Sequence, residues 1–329
     1  MTDPACNLIH RPVLAAEVCA FLAPAAAKTY VDGTFGVGGY SRALLDAADC
    51  AVWGIDRDPE AIARGEAMRR RYGSRFGLIQ GDFSDMVALL AAYDIEAVDG
   101  VTFDLGVSSF QLDNPARGFS FQVDGPLDMR MSRSGPTAAD VVNQATEAEL
   151  ADIIYRFGEE RAARGIARAI VRARAEAPIT RTLQLASIVS AAVRRAGQGR
   201  ETIHPATRTF QAIRIHLNRE VGPGGELQRG LWAAERLLRP GGRLAVVSFH
   251  SLEDREVKQF LTTRSGRAAR PNRHVPDATD APAPTFDLLT KGAIKPTAAE
   301  TAENPRARSA RLRAAVRTGA PPWPSGEPC

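Results

Sequence analysis

The chain has little cysteine, and the few residues present are not arranged for a metal or a disulfide framework. Its four cysteines, Cys6, Cys19, Cys50 and Cys329, show neither C-x-x-C spacing nor a nearby histidine. This spacing argues against the common zinc motifs and against the disulfide-rich secreted class. We therefore expect no metal, and thiols that are buried or idle.

Long apolar runs and a basic leader segment are also missing. Hydrophobic residues make up 44% of the chain and charged residues 24%, which is ordinary for a soluble globular protein. No apolar stretch approaches the length of a membrane span. The first residues, MTDPACNLIHRPVL, carry an early acid and no basic segment, unlike a secretion signal. We expect a cytoplasmic protein with no membrane partner.

The net charge is small but unevenly distributed. The whole chain carries +4, whereas residues 263–318 hold eleven basic and five acidic residues, a local charge of +6 that leaves −2 for the rest. Clustered arginine is the electrostatic footprint of a nucleic-acid partner. On charge alone, a solvated tail is an equally good explanation.

What the chain does have is a loop of four glycines after a β-branched run, within KTYVDGTFGVGGY at 28–40. Such a turn lets bare backbone approach a ligand at the edge of a sheet. A dinucleotide motif starting at Gly36 and Gly38 would need a third glycine where Ser41 stands, which disfavours an NAD oxidoreductase. Asp32, Gly36 and Gly38 fit the D-x-x-x-G-x-G form of S-adenosylmethionine (SAM) methyltransferases. A tight turn without a ligand is the alternative.

Strand and helix patterns alternate along the first hundred residues, which predicts a parallel sheet. We predict strands at 29–32, 51–56, 76–80, 98–104 and 243–249, and helices at 40–48, 59–70, 84–92 and 227–238. Helical patterns at 146–175 and 182–195 fill the long interval before the fifth strand and predict an inserted helical domain. Residues 286–294 and 308–317 are predicted to close the sheet as antiparallel strands.

Three residues at the predicted strand ends are candidate ligand contacts. Asp56 can accept hydrogen bonds from both hydroxyls of a ribose, although an acid here can also cap the next helix, for which Asp58 is better placed. Phe83 can stack on an adenine or belong to the core. Asp104 ends the fourth strand, where substrates usually sit, and can also cap local amides.

Methylation of an amine mainly requires positioning, together with an acceptor for the amine hydrogens and a route for the departing proton. The weak catalytic candidates are Asp104, Ser108 and His250, and a lone histidine such as His250 is more often structural. We predict an S-x-x-D capping box at Ser251 and Asp254. A set of arginines is expected to meet phosphates, with Phe119 or Phe121 stacking on a base: Arg117, Arg130, Arg133, Arg208, Arg214, Arg264, Arg267, Arg270 and Arg273.

With these motifs in place, the chain resembles the RsmH (MraW) family over nearly its whole length. The matching segments include DGTFGVGG, GIDRDP, DLGVSS with QLD, RGFSFQVDGPLDMRM, GEERAARGIARAI, HPATRTFQAIRI, GGRLAVVSFHSLEDR and NPRARSARLR. The family consists of SAM-dependent enzymes that methylate N4 of a cytidine in 16S ribosomal RNA, near the decoding centre. The partner that this implies is 16S RNA within the small ribosomal subunit or a late precursor.

The resemblance implies an α/β fold with a Rossmann-like class I SAM methyltransferase core and an inserted helical domain that recognises the substrate. The expected division is a first core part at 1–110, the helical domain at 111–215, a second core part with a basic loop at 216–318, and a disordered tail at 319–329. The family's cofactor contacts fall on Gly38, Gly39, Tyr40, Asp56, Phe83, Asp104 and Gln111. Tyr40 stands where the family has a histidine, and Phe110 where it has a proline.

Other functions stay open at this point. A SAM methyltransferase acting on a protein or small molecule would have a compact pocket instead of an arginine-lined face. An RNA-binding assembly factor without turnover is disfavoured by the intact Asp56, Asp104 and glycine loop. The Asp/Asn/Ser-Pro-Pro-Tyr/Phe tetrapeptide of DNA amino-methyltransferases is absent after the fourth strand, so the general base is unassigned. A homodimer is left open.

Overall fold

The computed structural model describes residues 12–195, 204–267 and 282–324, which divide into two compact units. The sheet unit contains the residues up to Gly106 and from Val221 onward. The helical unit is Val107–Glu220. The two boundaries were expected after residues 110 and 215, and the contacts within the chain place them after residues 106 and 220. The difference arises because the whole of the short helix Ser109–Asp113 and the last turn of the helix Thr207–Asn218 belong to the helical unit.

The sheet unit is built on a seven-stranded sheet in the order β3-β2-β1-β4-β5-β7-β6. β1 to β5 run parallel, and β7 pairs antiparallel with both β5 and β6. The predicted α/β class with a mostly parallel sheet is confirmed. The strands are β1 (Thr29–Asp32), β2 (Ala51–Asp56), β3 (Phe76–Gln80), β4 (Val98–Asp104), β5 (Leu238–Ser248), β6 (Phe286–Leu288) and β7 (Arg311–Arg317).

Helices of the sheet unit precede and follow those of the helical unit in the chain. The first group is α1 (Ala15–Leu22), α2 (Gly39–Ala47), α3 (Pro59–Tyr72) and α4 (Met86–Ala91). The helical unit holds α5 (Ser109–Asp113), α6 (Ala138–Gln144), α7 (Glu147–Gly158), α8 (Ala163–Glu176), α9 (Thr182–Arg195) and α10 (Thr207–Asn218). The sheet unit resumes with α11 (Glu226–Leu237), α12 (Ser251–Arg264) and α13 (Ala298–Glu303).

The residues between the predicted helix at 227–238 and the predicted strand at 243–249 lie inside the fifth strand. Helix α11 ends at Leu237, and β5 begins at the next residue, so Pro240, Gly241 and Gly242 belong to β5. Gly241 has a φ of 81°, and the pairing of β5 with β4 shifts register between Val98 and Gly100. The proline and glycines therefore form an irregularity within a strand, because β5 is paired with β4 both before them, at Leu238, and after them, at Arg243.

The single helix predicted over 146–175 is wrong, because it is divided into α7 and α8. α7 ends at Gly158, and Glu159 follows in the left-handed region with a φ of 49°. A Cβ at Gly158 would lie 2.7 Å from the carbonyl oxygen of Arg208 in α10, so glycine allows close packing there. Apolar residues of the two helices, including Leu150, Ile154 and Ile166, enter one buried cluster of the helical unit.

The end of the chain closes the sheet as predicted, with shorter strands. β6 covers three residues of the predicted 286–294, and a 3₁₀ turn at Pro305–Ser309 precedes β7. In the described part of the expected tail, the indole N–H of Trp323 donates to the carbonyl of Ala283 at 2.8 Å. Residues 325–329 lie outside the described residues. Among the helices that are described, none has the length and apolar character needed to cross a bilayer.

Candidate active site

Three predicted acids meet at one edge of the sheet because each ends a parallel strand. Asp32 ends β1, Asp56 ends β2 and Asp104 ends β4. β1 lies between the other two strands, with Asp32 in register with Gly54 and Thr102. The carboxyl ends of adjacent parallel strands border the crevice in which open α/β sheets bind ligands.

Asp56 holds the glycine loop against the end of β2. Its Oδ2 accepts the N–H of Gly36 at 2.7 Å, and its Oδ1 accepts the N–H of Asp58 at 2.8 Å. Burial raises the pKa of Asp56 to about 6, although these hydrogen bonds favour the ionised form. Asp58 caps α3, as predicted, by accepting the N–H of Glu60 at 3.0 Å. Asp56 therefore does not serve as the helix cap.

Asp32 connects β1 to the first turn of α2. Its Oδ2 accepts the N–H of Ser41 at 3.1 Å and the Ser41 hydroxyl at 2.7 Å. Its Oδ1 is buried without a hydrogen-bond partner. Burial raises the pKa of Asp32 to about 6, because the hydrogen bonds from Ser41 only partly offset desolvation.

Asp104 is the least compensated of the three acids. Its backbone N–H donates to Thr34 Oγ1 at 2.5 Å, but its side-chain Oδ1 is buried without a partner. Burial raises the pKa of Asp104 well above its usual range, and the charges of Asp32 and Glu253 raise it further. Sequence reasoning gave no role to Thr34 or Glu253, because only the folded loop and α12 bring them to this edge.

The three acids together form a cluster of carboxyl groups that no described cation neutralises. Among the described residues, none of them forms a salt bridge with lysine or arginine, and two of their oxygens lack any hydrogen-bond partner. A buried carboxylate is costly unless it is paired. This edge therefore favours either protonated acids or a bound cation.

The glycines of the loop also satisfy packing and backbone requirements of the protein itself. Gly38 precedes α2 with a φ of 75°, a conformation that favours glycine. A Cβ at Gly39 would lie 2.9 Å from the side chain of Pro12. At Gly33 a Cβ would lie 2.5 Å from the ring of Phe103. These constraints act whether or not a ligand also approaches Gly38 and Gly39.

Phe83 packs inside the sheet unit, which was the alternative to adenine stacking. Its ring centroid lies 4.8 Å from that of Phe103, and a Cβ at Gly230 of α11 would overlap the Phe83 ring. The side chain is half-buried. Its position after β3 keeps it near the ligand edge, so stacking on an adenine stays a prediction.

Ser108 and Gln111 belong to the helical unit and form the start of α5. Gln111 is buried, and its Oε1 accepts the backbone N–H of Ser108 at 3.0 Å. Ser108 is the N-cap residue of this helix. The structure thus gives both residues a local structural role, and their predicted cofactor and catalytic roles stay predictions.

The predicted capping box at Ser251 and Asp254 is wrong by one residue. The N-cap of α12 is His250, whose Nδ1 accepts the N–H of Glu253 at 3.4 Å. Glu253 Oε2 in turn accepts the N–H groups of Phe249 and His250, at 2.8 and 3.2 Å. Because β5 ends at Ser248, the helix begins earlier than its serine suggested. His250 is thereby fixed in a structural role.

Asp254 instead forms ion pairs with β7. It accepts from Arg311 at 2.7 Å and from Arg313 at 2.8 Å, which joins α12 to the antiparallel part of the sheet. These pairs join residues 57 and 59 positions apart. Local sequence spacing therefore gives no sign of them.

Comparison with known proteins identifies the family. The model of the MraW methylase family matches residues 7–318. The chain belongs to this family. It is 59% identical over 315 residues to ribosomal RNA small subunit methyltransferase H of Paramagnetospirillum magneticum, which covers 95% of this chain and 97% of that protein. Proteins of the same name from Acidiphilium cryptum and Rhodospirillum centenum are 56% and 59% identical, over 95% of this chain and 99% and 93% of their own.

Tyr40, which departs from the expected MraW family pattern, turns its side chain into the protein. The ring is buried, and its hydroxyl donates to the carbonyl of Val13 at 2.5 Å. Val13 follows Pro12, the residue that packs on Gly39. Any cofactor contact at residue 40 would therefore use the backbone, which a change from histidine to tyrosine preserves.

A Tyr40→Phe variant tests this separation of roles. Loss of the hydroxyl leaves the Val13 carbonyl without its donor, so we expect the free energy of unfolding to fall by about 1–2 kcal/mol. Urea unfolding measures this loss. The SAM dissociation constant should stay within about twofold of the parent value, and a much larger change would show that the side chain supports the cofactor directly.

Most arginines expected to meet phosphates are committed to contacts within their own unit. Arg117 is buried and donates to the carbonyls of Arg130 and Met131. Four others form ion pairs: Arg130–Asp128 at 2.8 Å, Arg214–Glu220 at 2.7 Å, Arg264–Glu235 at 2.9 Å and Arg208–Glu160 at 3.8 Å. Arg270 and Arg273 lie outside the described residues.

The two aromatic residues proposed to stack on a base also have partners within the helical unit. Phe119 is buried beneath the guanidinium of Arg117, 5.6 Å from its ring centroid. Phe121 packs against His204 and Phe210, with ring centroids 4.7 Å apart in both cases. Their stacking on a base therefore stays a prediction.

Proposed function

We propose that this chain transfers the methyl group of SAM to N4 of a cytidine in 16S ribosomal RNA near the decoding centre. Membership of the MraW methylase family and relatives named ribosomal RNA small subunit methyltransferase H support this proposal. The substrate would be met in the small subunit or a late precursor, in the cytoplasm. No observation favours the alternative of a protein or small-molecule substrate.

The observation that carries the cofactor assignment is the uncompensated acid cluster at the sheet edge. SAM has a positive sulfonium and a positive amino group, and either charge would offset the buried negative charge of Asp32 and Asp104. The two unpartnered carboxyl oxygens give such a ligand acceptors that the protein leaves unused. The residues present therefore fit this cofactor.

The remaining cofactor contacts follow from position along the loop and strands. Gly38, Gly39 and the backbone of Tyr40 would border the ligand at the start of α2, and Asp56 would accept its ribose hydroxyls. Phe83 and Gln111 complete the proposed set. When bound, SAM supplies a methyl group on a sulfonium, whose departure leaves a neutral thioether.

Asp104 is the strongest candidate for the residue that receives the substrate amine. It is at the end of β4, and its buried Oδ1 has no partner, so it can accept a hydrogen bond from an N–H group. Burial raises the pKa of Asp104 above its usual range, which favours uptake of a proton by this carboxyl group. His250 is less suitable because its Nδ1 caps α12. Ser108 stays a second candidate, because its Oγ is also buried without a partner.

Mass spectrometry of ribosomal RNA tests the function directly. Small-subunit RNA from cells that lack the gene should lose N4-methylated cytidine at one position, and a plasmid copy of the parent gene should restore it. A plasmid copy carrying Asp104→Ala should fail to restore it. An unchanged nucleoside profile in the deletion strain would refute the proposed reaction.

SAM affinity should increase with pH between about 5 and 7. The pKa values of Asp32 and Asp56 are about 6 without ligand, and a bound cation favours their ionised forms, so binding releases protons. Calorimetry in two buffers of different ionisation enthalpy measures this release. S-adenosylhomocysteine, which lacks the sulfonium charge, should release fewer protons. Affinity that is flat or falls over this range would contradict the assignment.

A further inference from the structure

One face of α8 and the turn before it presents four exposed arginines, Arg161, Arg164, Arg168 and Arg172, here called the α8 arginine face. Their spacings of three, four and four residues place them within a sector of about 80° on a helix with 3.6 residues per turn. None of the four is among the arginines that were expected from the sequence to meet phosphates.

The direction of this face is fixed by the packing of the helix. The opposite side of α8 carries Ala163, Ile166, Ala167 and Ile170, which are buried in the core of the helical unit. α8 contacts α7 on one side and α9 on the other. The arginines are therefore held outward on a rigid element.

These arginines form fewer salt bridges than the arginines inside the fold. Arg161, Arg164 and Arg172 form no salt bridge with any residue that the structure describes. Arg168 lies 3.6 Å from Glu147, but the two side chains are 68% and 46% exposed, so that pair is weak. Three of the four guanidinium groups are available to an external anion.

Gly165 leaves a gap at one edge of the α8 arginine face. It follows Arg164 in the chain, lies about 20° outside the sector of the arginines, and a Cβ added there would meet no atom within 4 Å. Glycine inside a helix is unfavourable, and no packing requirement among the described residues explains it here. A missing side chain at this point lets an extended chain of phosphates approach the helix backbone beside the arginines.

The charge of the helical unit favours an anionic polymer as the occupant. The sequence of residues 107–220 contains 16 arginines, no lysine and 12 acidic residues, a net charge of +4 that equals the net charge of the whole chain. Guanidinium groups bind phosphate through two parallel hydrogen bonds, which lysine cannot provide. The repeat along α8 suits successive phosphates of one strand.

We propose that the α8 arginine face binds the phosphate backbone of the RNA substrate. This proposal rests on the proposed function for the identity of the RNA, and it adds the surface that holds it. The contacts are to phosphates, so they position the RNA without reading its sequence.

The test compares two double variants of the full chain with S-adenosylhomocysteine bound. Arg164→Gln with Arg172→Gln removes two charges from the face, and the control, Arg70→Gln with Arg236→Gln, removes two exposed helical arginines of the sheet unit. Filter binding to small-subunit RNA is measured from low to high salt. Loss of two phosphate contacts should reduce the slope of log affinity against log salt by about 1.4–1.8. The control should keep the parent slope.

A second variant guards against a loss of structure. Gly165→Glu places a carboxylate at the edge of the face and improves helix propensity, so it should weaken RNA binding about tenfold without lowering the unfolding midpoint. Equal slopes for the two double variants would overturn the proposal, as would a change confined to acidic phospholipid vesicles. If the slope changes but the parent chain transfers no methyl group to RNA, the surface stands and the proposed reaction fails.

Discussion

An Asp104→Asn variant is expected to fold normally and to lose methyl transfer by a factor on the order of 10²–10³, the usual effect of removing one preorganised polar group from an active site. The carboxyl group is buried, unpartnered through Oδ1 and next to Asp32. Asparagine keeps the shape of the side chain but cannot ionise. It therefore cannot offset a positive ligand or accept a proton.

The same variant should differ from the parent in the pH dependence of its stability. Because the folded-state pKa of Asp104 is raised, the unfolded chain ionises first as pH increases, and the parent loses stability from about pH 4 up to the folded pKa. Asparagine has no such loss. The cofactor-free variant should thus lie nearest the parent below about pH 4 and exceed it in unfolding free energy at pH 9.

Asp99→Asn is the matched control, since it makes the same substitution on the same strand at the other edge of the sheet. Asp99 accepts from Lys28 and Thr29, both at 3.0 Å, so its loss should lower stability modestly while SAM affinity is retained. Calorimetric titration with SAM and urea unfolding separate the two effects. An Asp104→Asn enzyme with parental affinity and turnover would remove Asp104 from the site.

Local sequence was sufficient to predict the first four strands and the acids that end three of them. β1, β2, β3 and β4 have the predicted bounds, because short β-branched runs between turn residues specify buried strands with little ambiguity. Once the order of parallel strands is known, the meeting of Asp32, Asp56 and Asp104 follows from geometry alone. This part of the site was therefore predictable.

Features that depend on distant contacts were not predictable from local sequence. The break between α7 and α8 occurs where Gly158 packs on the backbone of α10, about fifty residues further along the chain. The Tyr40 hydroxyl donates to the carbonyl of Val13, and the Phe83 ring packs against Gly230 of α11. A motif shows that a residue lies near a ligand edge, but neighbours brought by the fold decide what its side chain contacts.

Predictions from the net charge of a segment have the same limit, as the arginines show. A count along the chain indicated either an anionic partner or a solvated tail for the C-terminal region. In the fold, Arg264 of this region is paired with Glu235, and Arg311 and Arg313 are paired with Asp254. Net charge reports an excess but not which side chains are already neutralised inside the fold. Only the folded structure separates the engaged arginines from those of α8.

The pair formed by Glu235 and Arg264 supports the second large prediction. Glu235 is 1% exposed and accepts from Arg264 Nε at 2.9 Å and from the Thr285 hydroxyl at 2.5 Å. The guanidinium of Arg317 donates to the backbone carbonyl of Glu235 at 2.9 Å. The Glu235 carboxylate thus joins α11 to α12 and to Thr285, the residue before β6, while the Glu235 backbone carbonyl joins α11 to β7.

We expect Glu235→Gln to lower the free energy of unfolding by about 3–5 kcal/mol, because it leaves the Arg264 charge buried without its counterion. The chain's tryptophans, Trp53, Trp232 and Trp323, all belong to the sheet unit, so their fluorescence during urea unfolding reports this unit alone. As a control, Glu66→Ala breaks the exposed pair with Arg69 and should cost less than about 1 kcal/mol.

A double variant decides whether the loss comes from the unpaired charge. Replacing the buried pair with apolar side chains, Glu235→Leu together with Arg264→Met, removes both charges and should recover most of the stability lost in Glu235→Gln. Recovery would show that the pair contributes mainly by mutual neutralisation. If the double variant were instead less stable than Glu235→Gln, the hydrogen bonds of Thr285 and the stacking of Arg264 on Trp323, 4.4 Å from the ring centroid, would have to carry the stabilisation.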